Sequence, residues 1–304
     1  MIMMMRNLET NVVFHQNVSW CILMLSPLVA TTLILWRPPT YGKLQVPPPT
    51  SIARQNQHYN ASKSNTSTTA GTNTTAGKQK RGTTNLFGPN LSAQWCWMIF
   101  ESPNWLWVGY AGYRLGHLPA LQNTLLLAWF LWHYLYRSIW YPLQMSTKSK
   151  FPLGILAFSL PFGVVNGYLQ SYDLCFFQSF SPTTNTNWWF LRWWNNYGYV
   201  LLGFLLMMIG FSITLRSDQE LVRLRRTYTT YQIPRGGWFE YVSCPHYMGE
   251  ILEWIGFCVA SRGSMASLSF ALWTMANLLP RALAQHEWYQ KNFPNQYPQD
   301  RKAI

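Results

Sequence analysis

Seven apolar runs follow one another along the chain, separated by polar and basic segments. The runs are residues 18–36, 92–110, 118–140, 151–172, 193–215, 242–261 and 263–280. Each is about 20 residues long, the length that an α-helix needs to cross a bilayer. The first run has no charge, no clean basic start and no A-x-A cleavage site, so we interpret it as a retained helix, not a removed signal peptide. The pattern predicts an all-α, polytopic membrane protein with seven transmembrane helices.

The placement of the basic residues tests this interpretation. If alternate segments face the cytosol, beginning after the first run, 19 of the 23 Lys and Arg residues lie on that side; the other side keeps Arg6, Arg114, Arg192 and Arg262. This asymmetry agrees with the positive-inside rule and predicts a lumenal N-terminus and a cytosolic C-terminus. A net charge of +13 also fits a nucleic-acid binder. Such a protein has no reason to interleave basic loops with apolar runs, so we predict no nucleic-acid partner.

Composition supports the membrane assignment and separates one unusual segment. Charged residues make up 11% of the chain, against about 25% in soluble domains, and aromatic residues make up 17%, which suits anchoring at membrane interfaces. Residues 55–85 are rich in Thr, Asn, Ser and Gly, and we predict that they form a disordered insertion whose Asn-x-Ser/Thr sequons would be cytosolic and unused. The five cysteines form no CxxC pair. We therefore predict buried small side chains, with no disulfide framework and no metal site.

Three carboxyl groups lie inside apolar runs, where a charge at the bilayer centre costs at least about 2.5–3.5 kcal/mol. Glu101 interrupts the second run, and Glu250 and Glu253 lie one helical turn apart in the sixth. These groups could pair with other buried groups only to pack the bundle. Because ionisable residues within membranes usually mark a site, we favour a functional role.

A second polar set lies in "WHYLYRSIWYPL", residues 132–143. Tyr134, Arg137 and Tyr141 are spaced i, i+3 and i+7, so they are predicted to share one helix face, with His133 beside them. A Glu hydrogen-bonded to a Tyr hydroxyl makes a usable proton donor, because the acid orients the phenol and the phenol polarises a carbonyl. The combination indicates chemistry on a carbonyl compound.

A basic cluster follows the fifth run, in "RSDQELVRLRRTYTTYQIPRGG". Its polar members are Ser217, Asp218, Arg223, Arg225, Arg226 and Arg235. Arginine recognises phosphate through two parallel hydrogen bonds, so a phosphorylated cofactor entering from the cytosol fits this edge. A patch that attracts anionic lipid is the alternative. No GxGxxG follows a strand, so a Rossmann site is not indicated, and any nucleotide would sit between helices.

Several motifs together resemble the steroid 5α-reductase family. They are "YQIPRGGWFEYVSCPHYMGEILEWIGF" at 231–257, "PRALAQHEWYQKNF" at 280–293, "YPQDRKAI" at 297–304, "YGK" at 41–43, "FESPNW" at 100–105, "HYLYRSIWYPL" at 133–143, "NGYLQ" at 166–170 and "SDQELVRLRR" at 217–226. The resemblance covers nearly the whole chain except the insertion, and it is closest to the plant and animal 3-oxo-Δ4-steroid reductases.

The resemblance implies a monomeric seven-helix enzyme of the endoplasmic reticulum membrane that encloses NADPH and a steroid or other lipophilic enone. Hydride would pass from the nicotinamide to the β-carbon of the enone, Tyr134 would polarise the 3-oxo group, and Glu101 would assist it. The other positions that match the family's cofactor cavity are Tyr41, Arg137, Tyr141, Ser217, Asp218, Arg225, Tyr231, Arg235, Glu250, Arg281, His286, Tyr289 and Arg301. Thr214 and His246 stand where many members carry Asn residues that contact the cofactor.

The same resemblance divides the chain into segments. We expect a short lumenal N-terminus at 1–17, the first transmembrane helix and its loop at 18–54, the insertion at 55–85, transmembrane helices two to four on the substrate side at 86–180, and a C-terminal steroid-reductase-like domain with cytosolic cofactor-binding loops at 181–304.

Other functions remain open on the sequence. Within the family, the substrate could be a polyprenol or polyprenal, or an enoyl thioester, and the "PHY" at 245–247 is similar to the polyprenol-reductase branch. In a different class, "CPHYMGE" before an apolar helix is similar to membrane methyltransferases that use S-adenosylmethionine. A membrane scaffold without enzymatic activity is the third possibility.

Overall fold

The structure is a computed structural model that describes residues 2–36, 88–145, 150–178, 197–228 and 230–304. Eight α-helices and one small antiparallel ribbon lie in these ranges. The helices are α1 Ile2–Trp36, α2 Ala93–Leu115, α3 Leu121–Leu135, α4 Tyr141–Gln144, α5 Leu153–Tyr172, α6 Tyr199–Thr227, α7 Pro245–Ala260 and α8 Met265–Asn292. The ribbon pairs β1 Asn90–Ser92 with β2 Lys150–Pro152. Two π-helical turns, Tyr136–Trp140 and Asp173–Phe177, extend α3 and α5, and a 3-10 turn, Gly237–Glu240, precedes α7.

Each of the seven apolar runs falls on one of the seven long helices, so the all-α prediction is confirmed. Within the described ranges, three stretches are long and apolar enough to cross a membrane: Asn11–Leu33, Leu153–Phe177 and Tyr199–Thr227. The insertion at 55–85 and Tyr41 lie outside the described residues. Of the five cysteines, Cys96, Cys175 and Cys244 are buried, as predicted, whereas Cys21 is exposed.

Two helices are longer than the sequence predicts. α1 begins at Ile2, not at residue 18, and α6 continues to Thr227, past the predicted end at 215. The extension of α6 consists largely of residues with good helix propensity, such as Leu, Gln, Glu and Arg, and neither extension contains Pro or Gly. The predicted short N-terminus and part of the predicted cytosolic loop are therefore helical.

The tightest packing joins α6 to α7 through four glycines. Each helix carries two of them, seven residues apart along the chain. Gly203 meets Gly256, and Gly210 meets Gly249: a Cβ built on Gly210 would lie 2.5 Å from the Gly249 carbonyl oxygen. Small residues allow helix backbones to approach this closely, which is the common way that apolar helices associate where no water is expelled. The approach brings the N-terminal half of α6 directly against α7.

Adding one methyl group at this contact is expected to destabilise the protein. A Cβ at Gly256 would lie 2.6 Å from the Gly203 carbonyl oxygen and 2.7 Å from the Met207 nitrogen, so Gly256→Ala forces the helices apart and should cost about 1–3 kcal/mol. Gly109→Ala on α2 is the matched control, because a Cβ there meets nothing within 4 Å. Thermal unfolding in detergent measures both; an unchanged midpoint for Gly256→Ala would contradict the close contact.

A second glycine contact presses α5 onto α2. A Cβ atom built on Gly163 would lie 2.5 Å from the Phe100 carbonyl oxygen, and one built on Gly167 would lie 2.8 Å from the Asn104 Cα. This GxxxG spacing places both glycines on one face of α5. The turn of α2 that carries Glu101 is therefore held directly against α5.

The remaining packing closes the bundle at its centre and at its C-terminal end. A core of aromatic and aliphatic side chains, including Phe130, Trp254 and Phe270, joins α3, α7 and α8. The C-terminal segment 293–304 then folds back on the loop before α7: Ser243 N–H donates to the Lys302 carbonyl at 2.8 Å, and Lys302 N–H donates to the Tyr241 carbonyl at 2.9 Å. We call this segment the C-terminal strap.

Candidate active site

A large cavity lies between the end of α3, α6, α7 and α8, near the β1–β2 ribbon. Its empty volume is about 1610 Å³, which includes the space that opens to solvent. Ten of the residues predicted to bind a cofactor line it: Arg137, Tyr141, Thr214, Asp218, Arg225, Tyr231, His246, Glu250, Arg281 and Tyr289. These residues come from separate segments of the chain, and the fold brings them together around one space.

Arg137 is the centre of the charged groups in the cavity. Its Nη1 donates to Asp218 Oδ2 at 3.3 Å, and its Nη2 lies 3.6 Å from Glu250 Oε1. The guanidinium also lies 5.1 Å from the ring centres of both Trp97 and Tyr141. Two carboxylates and two aromatic faces therefore fix one buried cation. We call Arg137, Asp218 and Glu250 the ion cluster.

The π-helical turn Tyr136–Trp140 changes the helix face that the sequence predicts. Arg137 and Tyr141 line the cavity, but the Tyr134 ring packs against Trp254 and Phe130 instead. A π turn contains more residues per turn than an α-helix, so it breaks the i, i+3, i+7 register. Of the three residues expected to share a face, Arg137 and Tyr141 thus line the cavity, and Tyr134 is not among the lining residues.

Tyr134 and Glu101 nevertheless lie close to the ion cluster. Tyr134 is 5% exposed, and both side chains lie within electrostatic range of Arg137 and Glu250. The Tyr134 hydroxyl accepts a hydrogen bond from Asn166 Nδ2 at 3.2 Å. Asn166 belongs to the "NGYLQ" motif but is not among the residues that the sequence predicts for the site; its only signal is an amide inside an apolar run.

Glu253 has a separate set of partners from Glu250, although the two lie one turn apart. Its Oε1 accepts hydrogen bonds from Trp129 Nε1 and from His133 Nδ1, both at 2.9 Å, and the residue is 0% exposed. These contacts join α7 to α3. Glu253 therefore ties the two helices together and is not among the residues that line the cavity.

Cationic side chains collect where the cavity meets solvent. Arg225 is exposed and lines the cavity, and no Asp or Glu within the described ranges forms an ion pair with it. Arg281 lines the cavity nearby, together with Tyr231, whose pKa is raised by burial against the opposing effect of Arg225. A neutral phenol beside an arginine with no acidic partner suits an anionic ligand.

Some predicted cofactor residues lie outside the cavity lining. Ser217 Oγ donates to a backbone carbonyl of its own helix, that of Ile213, at 2.7 Å, and Arg235 Nη2 donates to the Gln296 carbonyl at 3.4 Å. His286 Nδ1 lies 2.6 Å from Ser243 Oγ, and Ser243 itself lines the cavity. His286 thus reaches the cavity through Ser243.

Arg301 holds the C-terminal strap in place. It is 2% exposed, its Nη1 donates to the Pro234 carbonyl at 3.0 Å, and its Nη2 lies 3.5 Å from Glu240. A hydrogen bond from the Gly236 amide lowers the pKa of Glu240, with a smaller contribution from Arg301. The loop before α7, which contributes Tyr231 and Ser243 to the cavity lining, is therefore linked to the end of the chain by an ion pair and by backbone hydrogen bonds.

Comparison with known proteins identifies the family of this chain. The family model described as 3-oxo-5-alpha-steroid 4-dehydrogenase matches residues 149–304. Over 226 residues, which cover 72% of this chain and 82% of the relative, the chain is 38% identical to steroid 5-alpha-reductase DET2 of Arabidopsis thaliana. The chain belongs to the 3-oxo-5-alpha-steroid 4-dehydrogenase family.

Animal members of the 3-oxo-5-alpha-steroid 4-dehydrogenase family match almost as well. The chain is 37% identical to 3-oxo-5-alpha-steroid 4-dehydrogenase 1 of Rattus norvegicus, with 71% of this chain and 80% of the relative covered. The human protein of the same name is 36% identical, with 70% and 79% covered. As a member of this family, the chain is an oxidoreductase that acts on CH–CH groups, which decides against the methyltransferase and scaffold alternatives.

Proposed function

We propose that this enzyme reduces the C=C bond of an α,β-unsaturated ketone with NADPH, and that its substrate is a 3-oxo-Δ4-steroid, which it converts to the 5α-reduced product. The observation that carries the proposal is that Tyr134 and Glu101 lie within electrostatic range of the ion cluster, whose three residues line the cavity. The plant and animal relatives are named for this reaction on steroids.

The cavity fits a phosphorylated dinucleotide by its chemistry. Arg225 and Arg281 supply cations at the solvent side, where the pyrophosphate and ribose phosphate of NADPH would lie. Glu250, deeper in the cavity, can accept from the nicotinamide amide, and Tyr231 and Tyr289 offer aromatic surface. When bound, NADPH supplies the hydride that reaches the β-carbon of the enone.

The role of the protein side chains follows from where charge develops. As the β-carbon gains hydride, negative charge builds on the carbonyl oxygen, and a hydroxyl that donates to this oxygen stabilises the resulting enolate. We assign this donor to Tyr134, and its near-complete burial supports the assignment, because water then does not compete for its proton. Glu101 assists from α2, and a proton taken up from solvent adds to the α-carbon, so that one hydride and one proton together give the saturated ketone.

We also propose that all seven long helices span the endoplasmic reticulum membrane, with a lumenal N-terminus and a cytosolic C-terminus. The unequal distribution of Lys and Arg between alternate segments supports this orientation. Arg225 lies in the last turn of α6 and Arg281 directly follows the seventh apolar run, so in this orientation NADPH would enter from the cytosol and the lipophilic substrate from the bilayer.

A direct assay tests the proposed reaction. Detergent-purified protein is incubated with NADPH and, in separate reactions, a 3-oxo-Δ4-steroid, a polyprenal and an enoyl thioester, and products are analysed by mass spectrometry. We expect a gain of two hydrogens on the steroid and little or none with NADH in place of NADPH. Reduction of the polyprenal or the thioester alone would transfer the proposal to those substrates, and no reduction of any enone would refute it.

A further inference from the structure

Three buried amide side chains form a continuous hydrogen-bonded chain beside Tyr134. Asn104, Asn166 and Gln170 are each 1–2% exposed. Gln170 Nε2 donates to the Ala266 carbonyl at 2.8 Å and to Asn166 Oδ1 at 3.3 Å, and Asn166 Nδ2 donates to Asn104 Oδ1 at 3.0 Å and to the Tyr134 hydroxyl at 3.2 Å. The chain therefore links α8, α5, α2 and α3.

These contacts leave the Asn166 amide one orientation. Its two N–H groups point at two oxygen atoms, and its carbonyl oxygen receives an N–H from Gln170. The reverse orientation would set its oxygen against Asn104 Oδ1 and its NH₂ against the Gln170 NH₂, and both are repulsive. Asn104 is oriented in turn, because its Nδ2 donates to the Glu101 carbonyl at 3.3 Å.

The fixed amide determines what the Tyr134 hydroxyl can do. A hydroxyl that accepts an N–H keeps its own proton for a different partner. Because Asn166 can only donate at this point, the phenolic proton cannot be lost to it. An acceptor at the same place, such as a carboxylate, would take that proton instead.

We propose that Asn166 is a positioning residue that directs the Tyr134 proton toward the substrate carbonyl oxygen. This inference rests on the proposed reductase function and assigns one more residue to it. Through Asn104, the same amide chain also holds the turn of α2 that carries Glu101, so a single network orients both groups that act on the carbonyl.

The test removes the amide and then asks whether its effect needs the Tyr134 hydroxyl. Asn166→Leu should lower kcat for the enone about tenfold, since one hydrogen bond in a buried site has roughly this effect, while KM and the Kd for NADPH stay within about twofold. In the Tyr134→Phe background the same substitution should cause no further loss, because there is no hydroxyl left to orient.

Two further variants keep the inference falsifiable. Asn166→Asp has the shape of the native side chain but accepts where Asn donates, and it should lower kcat at least as far as Asn166→Leu. Asn123→Leu is the matched control: Asn123 is also 1% exposed and donates to two backbone carbonyls, but it does not touch Tyr134. It should lose thermal stability and keep kcat.

The outcomes separate the two proposals. A wild-type enzyme that reduces no enone refutes the proposed function and this inference with it. An active wild type with an unchanged Asn166→Leu variant refutes the positioning role alone, and so does an equal loss in both backgrounds. If both Asn166 variants fail to bind NADPH or to give a monodisperse protein, the residue serves folding, and the inference is also overturned.

Discussion

Replacing Tyr134 by Phe is expected to lower kcat by about 100- to 1000-fold, the typical effect of removing one donor from an oxyanion-stabilising site. The substitution removes only the hydroxyl, and the ring keeps its packing against Phe130 and Trp254. Tyr134 is absent from the lining of the cavity that holds the cofactor candidates. The Kd for NADPH should therefore stay close to that of the wild type, as measured by quenching of tryptophan fluorescence.

Tyr136→Phe is the matched control for this variant. Tyr136 is 7% exposed and lies two residues further along the chain, with its ring against Phe211 and Tyr141. It has no assigned part in the reaction, so its kcat should remain near the wild-type value. If Tyr134→Phe turned over the substrate at the wild-type rate, the proposed electrophile would be refuted, whichever enone is the substrate.

Replacing Arg137 by Met is expected to destabilise the enzyme by about 3–5 kcal/mol, as when one partner is removed from a buried ion pair. The Arg137 side chain is 11% exposed and lies between Asp218 and Glu250, which are 3% and 15% exposed. Without it, two carboxylates face the same buried space and no cation lies between them. Thermal unfolding in detergent should show a large fall in the midpoint, and NADPH binding should weaken with it.

Arg223→Met provides the comparison for an exposed arginine on α6. The Arg223 side chain is 62% exposed and pairs with Glu220 at 2.6 Å, and surface pairs of this kind contribute only about 0–1 kcal/mol. Adding Asp218→Asn and Glu250→Gln to the Arg137→Met variant should restore part of the lost stability. Equal effects of Arg137→Met and Arg223→Met would show that the ion cluster does not hold these helices together.

Most of the polar lining of the cavity could be predicted from the family motifs alone. Arg137, Asp218, Arg225 and Glu250 come from three separate motifs, and the fold brings all four to one cavity. Arg301 shows the limit of this approach. Its motif matches the family, but the guanidinium contacts Pro234 and Glu240 in the loop before α7 and does not line the cavity. A motif match indicates that a residue belongs to the family's pattern, but it does not predict which atoms the side chain contacts.

Local spacing was less informative than the motifs. Glu250 and Glu253 are one turn apart, and this spacing could not say which partners each would meet. Only the packing of α7 against α3 gives Glu253 its contacts with His133 and Trp129. The π turn after α3 is equally invisible in the sequence, and it interrupts the regular helical spacing that the sequence predicts for Tyr134, Arg137 and Tyr141.

The sequence by itself determined the order of the long helices in the described ranges, the apolar character of the three that could cross a membrane, and the family, because the length of an apolar run is a property of the chain alone. The tertiary structure decided which polar groups meet. The amide chain from Gln170 through Asn166 to Asn104 joins residues that are far apart in sequence, and it forms only because glycines let α5 approach α2. Buried hydrogen bonds depend on distances of a few ångströms between helices, and no local pattern in the sequence encodes such distances.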